Sequence, residues 1–156
     1  MPGVSSGWCA EPVRLEQTFT VASSPESVFD YMTDPDNLHD WQTSKTKVEP
    51  LAEGPPRLGY RVREWTKPPG RKEFAQVVEF TEFDRPHRLH VHIVEGPYPV
   101  DGTWALSADG DRTRVDFVAE GPLSGVMRLA EPLVKRMMGR EFAKYHDNLR
   151  RNVEAA

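Results

Sequence analysis

The sequence predicts an α+β fold in which an antiparallel sheet of about seven strands curves around one long C-terminal helix. Three observations carry this expectation. Residues 13–21, and most of 45–120, alternate apolar and polar side chains with a period of two, the pattern of half-buried strands. Residues 24–41 interrupt that pattern with two helix starts in quick succession. From residue 126 onward the apolar spacing becomes three or four and stays so to the end. Strands joined by short turns pair antiparallel. A helix with a wide apolar stripe has to cover the apolar face of such a sheet.

Taken in order, "VRLEQTFTV" places Val13, Leu15, Phe19 and Val21 on one face of a first strand, with Arg14, Glu16, Thr18 and Thr20 on the other. "SPESVFDYMTDPDNLHDWQ" follows. Ser24 is an N-cap, Pro25 a first helical residue, and Glu26 a carboxylate suited to a helix N-terminus. Val28, Phe29 and Met32 give that helix an apolar face, and Pro35 ends it at Asp34. Asp34 then caps a second short helix carrying Leu38 and Trp41. Strands are expected in "KTKVEPL", "RLGYRVREWTK", "KEFAQVVEFTEF", "RLHVHIV", the segment around Trp104 and Leu106, and "TRVDFVAE". A hairpin turn of Asp-Gly type is expected in "SADGDR". The closing helix carries Met127, Ala130, Val134, Met138, Phe142, Tyr145, Leu149 and Val153 as its stripe. Val126, Leu129, Leu133 and Met137 widen that stripe over its first half. Pro132 should kink or delay the helix, and Gly139 weaken it.

Composition narrows the function classes. The 156 residues suit one domain with a real core. A net charge of -4 gives no pull toward nucleic acid. Charge is uneven: in the final segment Arg128, Lys135, Arg136, Arg140, Lys144, Arg150 and Arg151 outnumber Glu131, Glu141, Asp147 and Glu154. The single cysteine, Cys9, excludes an intrachain disulfide and has no identifiable activating base. Residues 1–11 read as a flexible tail and 12–154 as the domain. No secretory leader and no apolar run of spanning length is seen, so a cytoplasmic location is expected. No Gly-rich phosphate loop, G-x-S-x-G or H-E-x-x-H occurs, and no cofactor is expected.

Three stretches carry a resemblance: S-P-E-x-V-F-x-Y-x-x-D-P-x-x-x-x-x-W at 24–41, "EFDRPHRL" after a long strand, and "GTW-x-L-(turn)-TRV" at 102–115. Together with the element order, they resemble the START-like (SRPBCC, Bet v 1-like) superfamily, and within it the bacterial polyketide cyclase/dehydrase and lipid-transport group. The resemblance covers roughly residues 12–154. It implies a helix-grip fold, β-α-α-β6-α, with a cavity between sheet and C-terminal helix for a small hydrophobic molecule. It also implies that the two short helices close the end of that cavity, with Trp41 pointing into it or onto its rim. The group holds binders, carriers, cyclases and co-chaperones, and fold alone does not choose among them.

Parity along each strand names the concave face. Tyr60, Val62, Phe74, Val78, Phe80, Val91, Tyr98, Trp104 and Phe117 are expected there, facing Leu133, Met137, Glu141 and Tyr145 of the helix. Aromatics mixed with adaptable methionines and a few polar tips suit a small-molecule pocket. Glu64 shares the face of Tyr60 and Val62, where a carboxylate in such a pocket can move protons. A bulge near Trp65 would instead turn Glu64 outward and Arg61 or Arg63 inward, and which holds is left open. Glu64, Tyr98 and Glu141 are the catalytic candidates, with no assigned role.

His90 and His92 project from one strand face as two metal ligands would, but that face is the solvent side and no metal site is expected. His39 and His146 are expected to be solvated. The expected function is binding of a lipid, isoprenoid or polyketide-like molecule, as carrier or sensor. Two alternatives stand: a polyketide aromatase/cyclase or dehydratase using the same cavity, and a co-chaperone-like protein-binding module. The outer Lys and Arg of the helix leave room for transient contact with an anionic membrane surface. Ligand identity and oligomeric state are left open.

Overall fold

The computed structural model describes residues 12–122 and 126–156. The tail 1–11 with Cys9, the break at 123–125, and the side chains of Val126 and Met127 lie outside the described residues. Seven strands form one antiparallel sheet: β1 (Val13–Val21), β2 (Lys45–Pro50), β3 (Arg61–Thr66), β4 (Phe74–Asp84), β5 (Arg88–Glu95), β6 (Asp101–Asp109) and β7 (Arg112–Gly121). Their spatial order is β1-β7-β6-β5-β4-β3-β2. Consecutive strands neighbour one another except at β1, which crosses over to pair with β7 along its whole length. The helices are α1 (Pro25–Thr33), α2 (Leu38–Trp41), α3 (Val126–Leu129) and α4 (Glu131–Ala155). No helix among the described residues is long and apolar enough to cross a membrane.

The short helices form for the local reasons read from the sequence. Ser24 Oγ accepts from Ser27 N at 3.2 Å, and Asp34 Oδ1 from Asp36 N at 2.9 Å. A short helix turn is marginal alone. What holds α1 is burial: Val28, Phe29 and Met32 are 1% exposed or less, and each contributes about 1.5–3 kcal/mol. Phe29 meets Phe83 edge-on at 5.1 Å, and Arg85 clamps Asp30 with two bonds of 2.7 and 2.8 Å. Those contacts tie α1 to the β4–β5 turn. The C-terminal end of α4 reaches the same place: Asn152 Nδ2 donates to Tyr31 Oη at 2.9 Å, and Ala22 N to Glu154 Oε2 at 2.8 Å. The α1–α2 pair therefore plugs one end of the curved sheet, and α4 runs from the opposite end toward that plug.

Three details differ from the sequence reading. Strand β3 starts at Arg61, not at Arg57, because Gly59 turns the chain with φ +82°. In the β6–β7 hairpin Asp109 pairs with Arg112, so the two-residue loop is Gly110-Asp111 and not Asp-Gly. Gly110 alone takes a positive φ there, 63°, which is the II′ arrangement. Third, His146 is not solvated but 3% exposed. It stands four residues after Phe142 and three before Leu149, on the buried stripe of α4. Pro132 does delay the long helix: it sits in the first turn of α4, after the separate turn α3.

Candidate functional site

Cross-strand partners share a face of a sheet, so the register fixes what the concave side presents. Val62 lies opposite Val78, Glu64 opposite Gln76, and Thr66 opposite Phe74. On the other flank of β3, Lys45 lies opposite Thr66. Along β3 the concave face thus changes from Val62 to Glu64 to Thr66, from apolar to charged to polar. Glu64 is 3% exposed. Its Oε1 accepts from Gln76 Nε2 at 2.8 Å and faces Lys45 Nζ at 3.3 Å. The Lys45 and Glu64 side chains are 8% and 5% exposed, which makes this a buried ion pair.

Helix α4 completes the cluster. The Tyr145 hydroxyl is hydrogen-bonded with Ser44 and Glu141, and Ser44 Oγ donates to the Glu141 carboxylate. Burial pushes the Tyr145 phenol far above its ordinary pKa; its hydrogen bond to Glu141 and the charges of Glu141 and Glu64 push it the same way. The phenol stays neutral and keeps its proton. Two carboxylates and one ammonium converge here, with Glu141 served by hydroxyl groups and by no cation among the described residues. Thr66 Oγ1 is buried beside this cluster without a hydrogen-bond partner. A buried hydroxyl left unpaired costs about 1–3 kcal/mol.

From the cluster an apolar path leads outward. Tyr145, Glu141, Met137 and Leu133 step by four along one side of α4, so they form one row. Tyr145 is 6% exposed, Glu141 is half-buried, Met137 is 49% exposed and Leu133 59%. The sheet opens toward the same end: on β5 Leu89 is 2% exposed while Val91 and Ile93 are only half-buried. Phe74 is half-buried with Tyr98 edge-on to it at 5.1 Å, and Tyr98 itself is exposed. Leu133 and Met137 on the first half of α4, with Phe74, Val91, Ile93 and Tyr98 on the sheet side, are thus apolar side chains left outside the fully packed core. This region, apolar side chains beside a polar cluster, is the candidate groove.

The second polar group under α4 is built differently. Trp104 Nε1 donates to His146 Nε2 at 3.1 Å, which leaves the ring proton on Nδ1, facing Gln17 Oε1 at 2.9 Å. Gln17 Nε2 then donates to the carbonyl of Gly139 at 2.8 Å. Phe19 and Phe117 lie against the imidazole at centroid distances of 4.6 and 4.7 Å. Burial alone pushes the His146 pKa down to about 3, so the ring is neutral. An open cleft of about 440 Å³ between β1 and α4, lined by Gln17, Phe19, Ala143 and Arg150 among others, reaches the edge of this ring.

The structure separates the residues expected at the site into four places. Glu64, Glu141 and Tyr145 come together in the polar cluster. Phe74, Val91, Tyr98, Leu133 and Met137 lie toward the open end. Val62, Val78, Phe80, Trp104 and Phe117 are packed into the core, each 4% exposed or less. Trp41 is also core, 1% exposed and edge-on to Trp104 at 6.1 Å, yet its Nε1 has no partner. Tyr60 is buried toward the plugged end, 5.8 Å from Phe80 and under the Arg57 guanidinium.

Outside the groove, His90 and His92 share the convex face and flank Asp101, at 3.5 and 2.7 Å. No group of three or more metal-ligating side chains converges among the described residues. His39 is exposed beside Asp40. Sequence reasoning missed Ser44, Lys45, Thr66 and Gln76. The signal was there: Gln76 has the parity of Phe74 and Val78, and Thr66 that of Glu64.

Comparison with known proteins agrees with this fold. The family model described as polyketide cyclase/dehydrase and lipid transport matches residues 12–154. No curated protein sequence matches the chain. Among solved structures, a START superfamily protein from Mycobacterium smegmatis superposes with a TM-score of 0.75 at 17% identity, over 91% of this chain and 97% of that one. A protein from Thermus thermophilus gives 0.74 at 20% identity, with coverage of 91% and 97%. Ara h 8.0201 gives 0.70 at 12% identity, with coverage of 92% and 98%. At these identities the likeness is one of fold, and that fold is the helix-grip arrangement.

Proposed function

Since the chain belongs to the polyketide cyclase/dehydrase and lipid-transport family, we propose that its 12–154 domain holds one small hydrophobic molecule in the groove between α4 and strands β3 to β5. The molecule is of lipid, isoprenoid or polyketide type, and the protein acts as its cytoplasmic carrier or sensor. The observation that carries this reading is the single row of Leu133, Met137, Glu141 and Tyr145, which joins an exposed apolar wall to a buried polar end. Leu133 and Met137 are exposed on a helix whose buried residues begin only at Tyr145, and an apolar face left open in this way suits an occupant. Met137 adapts to tails of different shape. The polar cluster supplies orientation: hydrophobic burial gives affinity without direction, and a few placed polar groups decide which end enters first. The solvated Lys and Arg of α4 would let the mouth touch an anionic membrane surface briefly while the ligand is exchanged.

The convergence of Glu64, Glu141 and Tyr145 favours a second reading, a cyclase or dehydratase acting on a polyketide-type chain. In that reading the groove folds the chain, a carboxylate takes a proton next to a carbonyl, and the neutral Tyr145 phenol donates to the carbonyl oxygen.

The test is native mass spectrometry of the purified protein, then solvent extraction and identification of what it carries. A stoichiometric apolar molecule supports the carrier reading. Its conversion on incubation, lost in Glu141→Gln, would move the assignment to the enzyme. A protein that is empty and takes up neither lipids nor aromatic polyketides overturns both, and capture of a protein partner would then point to the co-chaperone-like alternative.

A further inference from the structure

The polar end of the groove carries information about the head of the molecule that fits it. Three features bear on this. The ammonium of the cluster, Lys45 Nζ, is already paired with Glu64 at 3.3 Å and buried with it. Glu141 is a second carboxylate with no ion-pair partner among the described residues; only hydroxyl groups, Ser44 and Tyr145, attend it. Thr66, 9% exposed and on the concave face two residues past Glu64, has a hydroxyl with no partner among the described residues. A carboxylate or phosphate entering this end would meet one neutralised cation and one uncompensated anion. It would lose its hydration and gain repulsion. A permanent cation would find Glu141, but it would also meet Lys45 and hydroxyls that already donate to that carboxylate. A hydroxyl suits every unfilled position, since it donates to Glu141 and accepts from Thr66 Oγ1.

Building on the groove reading above, we infer that the ligand presents an uncharged hydroxyl, an alcohol or a phenol, to Glu141 and Thr66, and that the groove rejects the same skeleton ended by a carboxylate. A site built to hydrogen-bond a hydroxyl discriminates strongly, because a wrong head leaves buried polar groups unpaired.

The experiment compares matched probes by isothermal titration calorimetry at neutral pH: decan-1-ol, decanoate and decylammonium, and as a second set 2-naphthol and 2-naphthoate. The expected result is alcohol or phenol binding at least tenfold tighter than the matched acid, and no weaker than the amine. Glu141→Gln should cut the alcohol-to-acid ratio to threefold or less by admitting the acid. Thr66→Val should weaken the alcohol severalfold and leave the acid unchanged. Circular dichroism would establish that both variants fold. Acids bound as tightly as alcohols, or amines bound more tightly, overturn this inference and leave the groove standing. Failure of all five probes to bind overturns the groove itself, and the inference with it.

Discussion

Helix α4 buries two polar groups that sit less than two turns apart and serve opposite ends. Around His146 both ring nitrogens have partners and aromatic rings lie against them, in a chain from Trp104 to His146 to Gln17 to the Gly139 carbonyl. The Nε1 of Trp41, stacked on the same imidazole, has none among the described residues. Around Tyr145 the groups are charged, one carboxylate lacks a cation among the described residues, and an adjacent hydroxyl lacks any partner. A closed neutral chain fixes how α4 lies on β1 and β6, and it asks for nothing further. An open charged cluster is worse for stability than apolar packing would be. The difference is the reason the proposed site is placed at the second group.

The comparison can be broken most severely at Lys45. Replacing it by Met strands the Glu64 carboxylate in the interior, and should cost about 3–5 kcal/mol in urea unfolding. Adding Glu64→Leu should return most of that loss and, with Glu141 and Thr66 intact, keep the preference for an alcohol over the matched acid. A cost below about 1 kcal/mol for the single change would mean that the pair is screened by water.

The next effect belongs to His146. Its folded pKa of about 3 lies below the ordinary histidine value of 6.5. Between those limits the unfolded chain binds a proton that the folded chain does not, so stability is full above pH 6.5 and falls as the pH drops toward 3. The loss is about 1.4 kcal/mol per pH unit, or roughly 2.5–3 kcal/mol by about pH 4.5. His146→Gln keeps an acceptor for Trp104 and a donor for Gln17. Its unfolding free energy should lack this component of the acid dependence, and an unchanged slope would place the titration elsewhere.

Smaller changes sharpen the contrast. Thr66→Val removes a buried hydroxyl that has no partner, so it should be neutral or stabilising by up to about 1 kcal/mol while weakening ligand binding. Leu133→Ser with Met137→Ser should alter stability by no more than about 0.5 kcal/mol, since both side chains are exposed, and yet lower affinity for apolar ligands at least tenfold. A stability loss of several kcal/mol would make them core residues and remove the mouth of the groove.

Much of this was legible in the sequence because it depends on local rules. Caps at Ser24 and Asp34, the break at Pro35, period-two strands and the period-four stripe of α4 each follow from neighbours in the chain. Parity put Glu64 on the face of Tyr60 and Val62 without excluding an outward turn, and helical spacing put Glu141 and Tyr145 on one row. Lys45 was not, because a lysine on an edge strand ordinarily faces solvent, and only the fold brings it within 3.3 Å of Glu64. Gln17 and His146 were passed over for a related reason. A polar residue on an apolar stripe reads as an interruption until its partner, 129 positions away, is known. Trp41, Trp104 and Phe117 show the converse limit: an apolar pattern marks burial, and cannot divide the wall of a groove from the core behind it.

The most direct test of the groove is the methyl NMR spectrum of protein labelled at its methionines, titrated with 2-naphthol. Met32 lies in the closed core under α1, 1% exposed, whereas Met137 stands at the open end. If the groove is the binding site, the Met137 methyl shifts with saturation and Met32 stays in place. Saturable binding that moves Met32 and leaves Met137 unmoved would contradict it.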